Sequence, residues 1–158
     1  MIASQSIRQR GFTLLEMLIV VAIIGLLASI GVPYMLGAID SARQKKSVAD
    51  ISNIAKAVEI YQNDVTFYPI ATSLSAIEAL DPAAMGIQPK YLTKVPTKDG
   101  WQGFYYYEST PGTRSYMILS YGKDKKQSSS SSGVIHNFDC DIIFQNGGFT
   151  SYPEGAQE

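Results

Sequence analysis

The residues of this chain that could do chemistry are few, and the first is a glutamate at the head of an apolar run. Glu16 is followed by twenty residues without a charge, from Met17 to Leu36. A charge at the centre of a membrane costs about 2.5–3.5 kcal/mol, and less toward the interface. Glu16 is therefore either an interfacial carboxylate facing the positive end of a helix dipole or a carboxylate that pairs with a cation inside the membrane.

A new amino terminus could supply that cation. The basic segment Arg8-Gln9-Arg10 precedes Gly11, and cleavage after Gly11 would place a free α-amino group on Phe12. A secretory signal is cut after its apolar core, at small residues. Cleavage at Gly11 would instead leave the apolar run on the mature chain.

A second group of carboxylates lies near the C-terminus. Asp124, Asp139 and Asp141 bracket a polar loop that contains the serine run Ser128–Ser132. Calcium takes six to eight oxygen ligands from carboxylates and carbonyls in flexible loops, and like charges repel one another without such a cation or solvent. The spacing is not that of a helix-loop-helix calcium motif, so two interpretations stay open: a calcium site, or solvated loop acids without an ion.

The remaining reactive side chains predict no catalysis. Cys140 is the single cysteine and His136 the single histidine, so no intramolecular disulfide can form. We expect Cys140 to pack as a small buried group and His136 to meet solvent. An enzyme would need a nucleophile with its base or an open metal site, and no such set stands out.

Composition also limits the partners. The 158 residues carry 13 Lys+Arg and 14 Asp+Glu. Residues 1–11 hold two arginines and no acid, so their removal would leave a net charge of −3. Nucleic-acid binding depends on an excess of basic residues, and it is not expected here.

The elements that must position these residues begin with a helix. Residues 17–36 would span about 30 Å as an α-helix, the thickness of a bilayer core. The basic segment before them favours a cytoplasmic N-terminus. Pro33 lies inside this run and predicts a kink.

Helical periodicity continues beyond the apolar run. Val48, Ile51, Ile54 and Val58 share one face, and no proline intervenes before Pro69. This pattern predicts one helix from about residue 12 to 63, with a membrane half over 12–36 and an amphipathic half over 37–64. A coiled-coil seam is the alternative, but the repeat covers too few heptads.

In the globular region, 65–158, residues 66–96 predict a loop with short helical turns, and the residues after them predict strands and turns. Ser75 is a candidate helix cap for the segment AIEAL, and Asp81-Pro82 a candidate start of a short turn. Strands are predicted over 104–109 and 114–121, joined by a type II turn at 110–113. A third strand is predicted near residues 140–149, with a tight turn at Asn146-Gly147. The predicted fold class is α+β, a long N-terminal helix packed on a small antiparallel sheet.

The N-terminal motif resembles a known family. Gly11-Phe12-Thr13-Leu14-Leu15-Glu16, with basic residues before it and a long apolar helix after it, is similar to the leader of type IV pilins and pseudopilins. The resemblance implies that 1–11 is a leader removed by the prepilin peptidase, which also methylates Phe12. It further implies that Glu16 pairs with the N-terminus of a neighbouring subunit.

Landmarks beyond the helix resemble the major pseudopilins of type II secretion systems. They are Tyr68-Pro69, Tyr91-Leu92, Val95-Pro96 and 99–103, where Asp-Gly-Trp-Gln replaces the usual Asp-Pro-Trp-Gly. The resemblance also implies a calcium site, with Asp124 and Asp139 as ligands, Asp141 as a further one, and a carbonyl of Leu119 or Ser120. Lys125 stands where the family usually has glycine.

These resemblances imply a filament subunit. The expected role is a structural subunit of a periplasmic pseudopilus that drives protein export, anchored once in the bacterial inner membrane with its C-terminal domain in the periplasm. The expected partners are copies of itself, minor pseudopilins or pilins, an assembly platform, a cytoplasmic ATPase and the prepilin peptidase. The alternative is a surface type IV pilus for adhesion, twitching or DNA uptake. Many such pilins close their C-terminal region with a disulfide, and one cysteine cannot form it.

Overall fold

A computed structural model of the chain describes residues 11–110, 112, 114–128 and 132–156. Residues 1–10 of the predicted leader lie outside the described residues, as do Pro111 and Thr113 of the predicted turn and 129–131 of the serine run. The chain divides into two compact units, one ending at Ala38 and the other beginning at Ile39.

The predicted long helix is confirmed. Helix α1 spans Leu14–Val65, 52 residues, with Glu16 in its first turn. Pro33 lies within it and the helix is continuous through that position, so a kink there stays a prediction. Within the first unit the side chains of 11–38 are exposed. Among the described residues, α1 is the one helix long and apolar enough to cross a membrane by length and composition.

The second unit has its core on the predicted apolar face of α1. Ile51, Ile54 and Val58 are buried there, together with strand residues of the sheet. The largest buried side chains from the sheet are Tyr105, Tyr107, Tyr116, Ile118 and Ile142. The tyrosines bring large apolar area into the core, and each brings a hydroxyl that needs a partner.

The sheet has six strands. In chain order they are β1 (Ala71–Ala76), β2 (Tyr105–Ser109), β3 (Tyr116–Ser120), β4 (Gly133–Ile135), β5 (Ile142–Gln145) and β6 (Gly148–Pro153). Their spatial order is β1-β2-β3-β5-β6-β4. Every neighbouring pair is antiparallel except β4 with β6. A short helix α2, Ile77–Leu80, follows β1.

The predicted hairpin of β2 and β3 is present, and the tight turn predicted at Asn146-Gly147 divides the predicted third strand into β5 and β6. Strands β2 and β3 pair in register, with Ser109 opposite Tyr116. Gly112 has φ +80°, as the third residue of a type II turn requires, although the turn type stays a prediction. Asn146 and Gly147 have φ +50° and +91° between β5 and β6, which is the conformation that a two-residue hairpin turn needs.

The region after α1 differs from its prediction. Residues 66–96 were predicted as loop with short helical turns, but β1 forms here and pairs with β2. The predicted Ser75 cap is wrong: α2 follows Ala76 without a side-chain cap, and Ser75 lies in β1, where its hydroxyl donates to the carbonyl of Ser73. A serine-rich segment has weak strand propensity, so the pairing with β2 decides its conformation.

Candidate functional site

The predicted assembly residues lie at the start of α1. The backbone N–H and the hydroxyl of Thr13 both donate to Oε2 of Glu16, each at 2.9 Å. The N–H of Glu16 donates in return to the Thr13 hydroxyl at 3.1 Å. This reciprocal pattern is a capping box, with threonine as N-cap and glutamate three positions later.

The capping box fixes one oxygen of Glu16 and leaves the other available. In the described part of the chain, Oε1 accepts no hydrogen bond, and Phe12 beside it is 74% exposed. Thr13 is not among the predicted site residues, although the spacing Thr13-x-x-Glu16 before an apolar run is the local sequence signal of a capping box. The geometry offers an oriented carboxylate oxygen to a cation arriving from outside the subunit.

A cluster around Asp40 ties the first turns of the second unit to its loops. Asp40 is 8% exposed. It accepts hydrogen bonds from Lys123 Nζ at 2.8 Å and from Trp101 Nε1 at 3.0 Å. Arg43 lies 3.7 Å from its Oδ1. These contacts hold the pKa of Asp40 below its ordinary value. The hydrogen bond from Lys123 has the largest effect, and that from Trp101 the next largest.

The family landmark at residues 99–103 is a loop built around a buried carboxylate. Asp99, 1% exposed, accepts from the N–H groups of Trp101 (2.9 Å) and Gly103 (2.7 Å) and from the Ser120 hydroxyl (2.7 Å). A carboxylate with three donors holds a tight loop firmly. Trp101 is thereby oriented toward Asp40.

Gly100 brings this loop into contact with α1. Its N–H donates to the Ser47 hydroxyl at 3.0 Å, and a Cβ built at this position would lie 2.3 Å from the Arg43 carbonyl oxygen. Only glycine permits so close an approach. Proline, which the family usually has here, could make neither this approach nor this hydrogen bond, because it has a Cβ and no N–H.

Two more acidic residues of α1 receive tyrosine hydroxyls from the sheet. Tyr105 donates to Asp50 at 3.0 Å, and Tyr116 donates to Glu59 at 2.7 Å. Burial, foremost, raises the pKa of both tyrosines above the ordinary value. Asp50 and Glu59 are not among the predicted site residues, because a charged residue between apolar helix positions is usually solvated.

In the predicted calcium loop, one carboxylate is incompletely satisfied. Asp141 is 3% exposed; its Oδ2 accepts from the N–H of Ser128 at 3.0 Å, while its buried Oδ1 has no hydrogen-bond partner. Burial is the main cause that raises the pKa of the Asp141 carboxyl. The hydrogen bonds from Ser128 act to lower this pKa, and the negative charge of Asp124 acts to raise it. A buried acceptor without a donor is what a bound cation would satisfy.

The other predicted ligands are placed less favourably. Asp124 and Asp139 are exposed, and Asp124 accepts from the N–H of Lys126. Leu119 and Ser120 lie within β3, paired with strands on both sides. Across the described ranges, no three acidic, histidine or cysteine side chains are grouped so that they could hold a metal ion. The donor set fits calcium in part, and the site stays a prediction.

Of the two remaining candidates, His136 is placed as expected, whereas Cys140 is less buried than predicted. Cys140 is half-buried and packs against the core, and His136 is exposed.

Comparison with known proteins agrees with the motif and with the fold. The family model described as type II secretion system protein G matches residues 34–137. The prokaryotic N-terminal methylation motif matches residues 7–32. The chain is 34% identical to the type II secretion system core protein G of Vibrio cholerae over 133 residues, covering 80% of this chain and 89% of that protein. It is 36% identical to the corresponding Pseudomonas aeruginosa protein, covering 84% and 96%.

A methylation motif on a long apolar helix, followed by a helix-on-sheet domain, defines the class of pilin-like subunits. Within that class, the chain belongs to the type II secretion system protein G family. The predicted resemblance to the pseudopilins of that system is confirmed, and the surface pilus alternative has no comparable support.

Proposed function

We propose that this chain is the repeating subunit of the pseudopilus, a helical filament that drives protein export through a type II secretion system. The observation that carries the proposal is the pairing of a protein G domain with a methylation motif on one chain. The exposed apolar half of α1 supplies the surface that such a filament would bury between subunits. The role is structural.

The same proposal includes a topology. The N-terminus lies in the cytoplasm, α1 crosses the bacterial inner membrane once, and the second unit lies in the periplasm, where the filament assembles. The length and composition of α1 and the methylation motif support membrane anchoring. Minor pseudopilins, the assembly platform, a cytoplasmic ATPase and the prepilin peptidase are the partners that this role requires.

Assembly depends on the new N-terminus and on Glu16. Cleavage after Gly11 and methylation of Phe12 leave a cationic amine at the start of the mature chain, and Glu16 pairs with that amine on a neighbouring copy. The capping box supports this role because it fixes the carboxylate through Oε2 alone. An ion pair in a low-dielectric environment is far stronger than in water, so it can select one register between helices.

Two variants separate processing from assembly in a strain that exports through this system. Gly11→Leu should remain uncleaved, which electrophoresis of the membrane fraction would show. Glu16→Gln should be cleaved and methylated, as mass spectrometry would show, yet give few filaments and little export. Thr13→Ala serves as a comparison, because it removes the cap but keeps the carboxylate. Normal filament yield from Glu16→Gln would refute the pairing.

We also propose that calcium binds the C-terminal loop, with Asp124 and Asp139 as ligands, Asp141 as a further carboxylate and a carbonyl of Leu119 or Ser120. The support is the unpartnered Oδ1 of Asp141. When bound, calcium would join the loops after β3 and before β5. In this chain, Asp141 accepts from Ser128 and so orients one end of the serine-rich loop.

Thermal unfolding in calcium and then in chelator tests the site. A ligand at a hundred times its dissociation constant stabilises a protein by about 2.7 kcal/mol. Asp124→Asn should lose the calcium-dependent rise in Tm. Glu78→Gln, which neutralises an exposed acid on α2, should keep it. If wild type shows no calcium-dependent shift, the site is not a calcium site, and the filament role is unaffected.

A further inference from the structure

Three cations follow the apolar run of α1 within ten residues. Arg43, Lys45 and Lys46 are exposed, and the run ends at Leu36. At about 1.5 Å per residue, they lie roughly 10–15 Å beyond its end along the helix. This distance corresponds to the head-group layer when the run fills the hydrocarbon core.

A loop of the second unit adds a fourth cation next to these residues of α1. Lys123 contacts α1 through the carboxylate of Asp40, at 2.8 Å. Asp40 lies four residues after Leu36, the end of the apolar run. We call Arg43, Lys45, Lys46 and Lys123 the basic collar.

The collar has more positive charge than its carboxylates balance. Lys123 and Arg43 share the single carboxylate of Asp40, and Lys46 pairs with Asp50 at 2.9 Å. Lys45 has no ion pair in the part of the chain that the structure describes. The side chains of Arg43 and Lys123 are each 49% exposed, so both can reach a further anion without leaving Asp40.

The position of these cations is not explained by membrane orientation. Cations favour the cytoplasmic side of a span, yet the proposed topology puts the collar on the opposite side. The proposed cleavage at Gly11 also removes Arg8 and Arg10, so the mature span has its flanking basic side chains only at its C-terminal end. This step rests on the proposed function, and it means that the collar opposes the orientation rule and needs another role.

We propose that the basic collar binds the phosphate groups of anionic phospholipids in the leaflet where the apolar half of α1 ends. The guanidinium of Arg43 suits bidentate binding of phosphate oxygens. The long stems of the lysines let their ammonium groups extend along the helix toward the head groups. The lipid contact stabilises the subunit stored in the membrane, and it breaks when the subunit is extracted into the filament.

The chain contains its own reporter for this contact. Trp101 is the single tryptophan, and its Nε1 lies 3.0 Å from Asp40 at the centre of the collar. A quencher attached to lipid head groups will therefore reduce Trp101 fluorescence when the collar lies at the membrane surface.

The experiment uses the full-length chain, one copy per nanodisc, with a trace of phosphatidylcholine spin-labelled on its head group. Nanodiscs of phosphatidylcholine alone are compared with nanodiscs that also contain phosphatidylglycerol. We expect stronger quenching with phosphatidylglycerol, and its loss in high salt. Each basic residue near an anionic surface contributes about fivefold to binding, so Arg43→Gln with Lys45→Gln should weaken the bound state roughly 25-fold.

A matched control removes the same charge elsewhere. Lys56→Gln with Lys94→Gln neutralises two exposed lysines outside the collar and should leave the quenching unchanged. Equal quenching in both lipid mixtures, or equal loss in both double variants, would overturn the proposal. The proposal would also be overturned if quenching increased with the number of protein copies per nanodisc but not with lipid charge. The collar would then bind acidic side chains of another copy. None of these outcomes depends on cleavage or filament growth, so the proposed function is tested separately.

Discussion

At the scale of single residues, three carboxylates of this chain differ in what surrounds them, and each environment suits a different role. Glu16 is exposed and has one oxygen committed to its own capping box. Asp99 is buried and accepts from three donors. Asp141 is buried with one oxygen unsatisfied. A free oxygen on a fixed carboxylate suits recognition, whereas a fully satisfied carboxylate suits a structural role.

The structural role of Asp99 gives a first prediction. Asp99→Ala leaves two backbone N–H groups and a hydroxyl without their acceptor in a buried loop, and each charge-assisted hydrogen bond contributes about 1.5–3 kcal/mol. We expect Asp99→Ala to lower stability by about 3 kcal/mol or more. Asp99→Asn, which keeps an acceptor for the N–H groups, should lose about half as much. Urea unfolding in detergent solution, followed by Trp101 fluorescence, measures both, and equal losses would contradict this account.

Asp40 gives a prediction about acid. Its pKa is lowered in the folded state, so the ion pair with Lys123 stabilises the fold above the unfolded pKa of about 3.9, and this stability is lost as the pH falls through the lower folded value. We expect wild type to have a higher Tm than Asp40→Asn at pH 6. The two Tm values should converge as the pH falls from 4 toward 2. A constant difference across this range would show that the charge of Asp40 does not contribute.

At the scale of elements, the loop at 99–103 and helix α1 contact each other at backbone distance. Gly100 has no room for a side chain because the Arg43 carbonyl occupies the place of its Cβ. Overpacking of this kind costs about 1–3 kcal/mol or more, since neither backbone can yield easily. The loop also sets the position of Trp101 against Asp40, so its displacement would affect the collar.

Gly100→Ala should therefore lower the free energy of unfolding by about 3 kcal/mol and weaken the protection of the Trp101 indole N–H from hydrogen exchange. Gly148→Ala is the matched control, because nothing lies within 4 Å of its added Cβ and its φ is not positive. We expect that control to change stability by less than about 0.5 kcal/mol. If the two alanine variants unfold alike, the close approach of loop and helix is not a constraint.

The sequence predicts some elements better than others, for physical reasons. Helix α1 and the β2–β3 and β5–β6 hairpins have strong local signals: apolar periodicity, alternation and turn residues with positive φ. Strand β1 has none, because its serines and alanines do not favour a strand until β2 pairs with them. Strand β4 is three residues beside a serine run and depends on β6.

The candidate site shows the same division. Gly11, Phe12 and Glu16 are predictable because their motif is continuous in sequence. The contacts of Asp40, Asp50 and Glu59 join residues more than fifty positions apart along the chain. Such pairs are set by tertiary packing, and one sequence contains no local signal for them.

At the scale of the whole molecule, the two units have opposite relations to solvent. The first exposes its apolar side chains, and the second buries a core of tyrosines and aliphatic residues. An apolar helix left exposed requires a membrane or other copies to cover it. In the proposed pseudopilus role, the second unit keeps its own fold as the subunit moves from the membrane into the filament, so its stability has to come from contacts inside it.

The buried tyrosines supply part of that stability, and they make it sensitive to alkali. Burial raises the pKa of Tyr105 and Tyr116 above the ordinary value near 10. Above pH 10 the unfolded chain therefore releases protons that the folded chain retains, and the stability from both residues declines as the pH rises.

Tyr105→Phe and Tyr116→Phe should each cost about 1 kcal/mol at pH 7 through the lost hydrogen bonds to Asp50 and Glu59. Between pH 9 and 12 the double variant should lose less Tm than wild type. Tyr34→Phe is the control, because it lies at an exposed position of the apolar half, and its Tm should follow that of wild type throughout. If the Tm of wild type, the double variant and Tyr34→Phe declined in parallel, the phenols of Tyr105 and Tyr116 would not link the stability of the fold to pH.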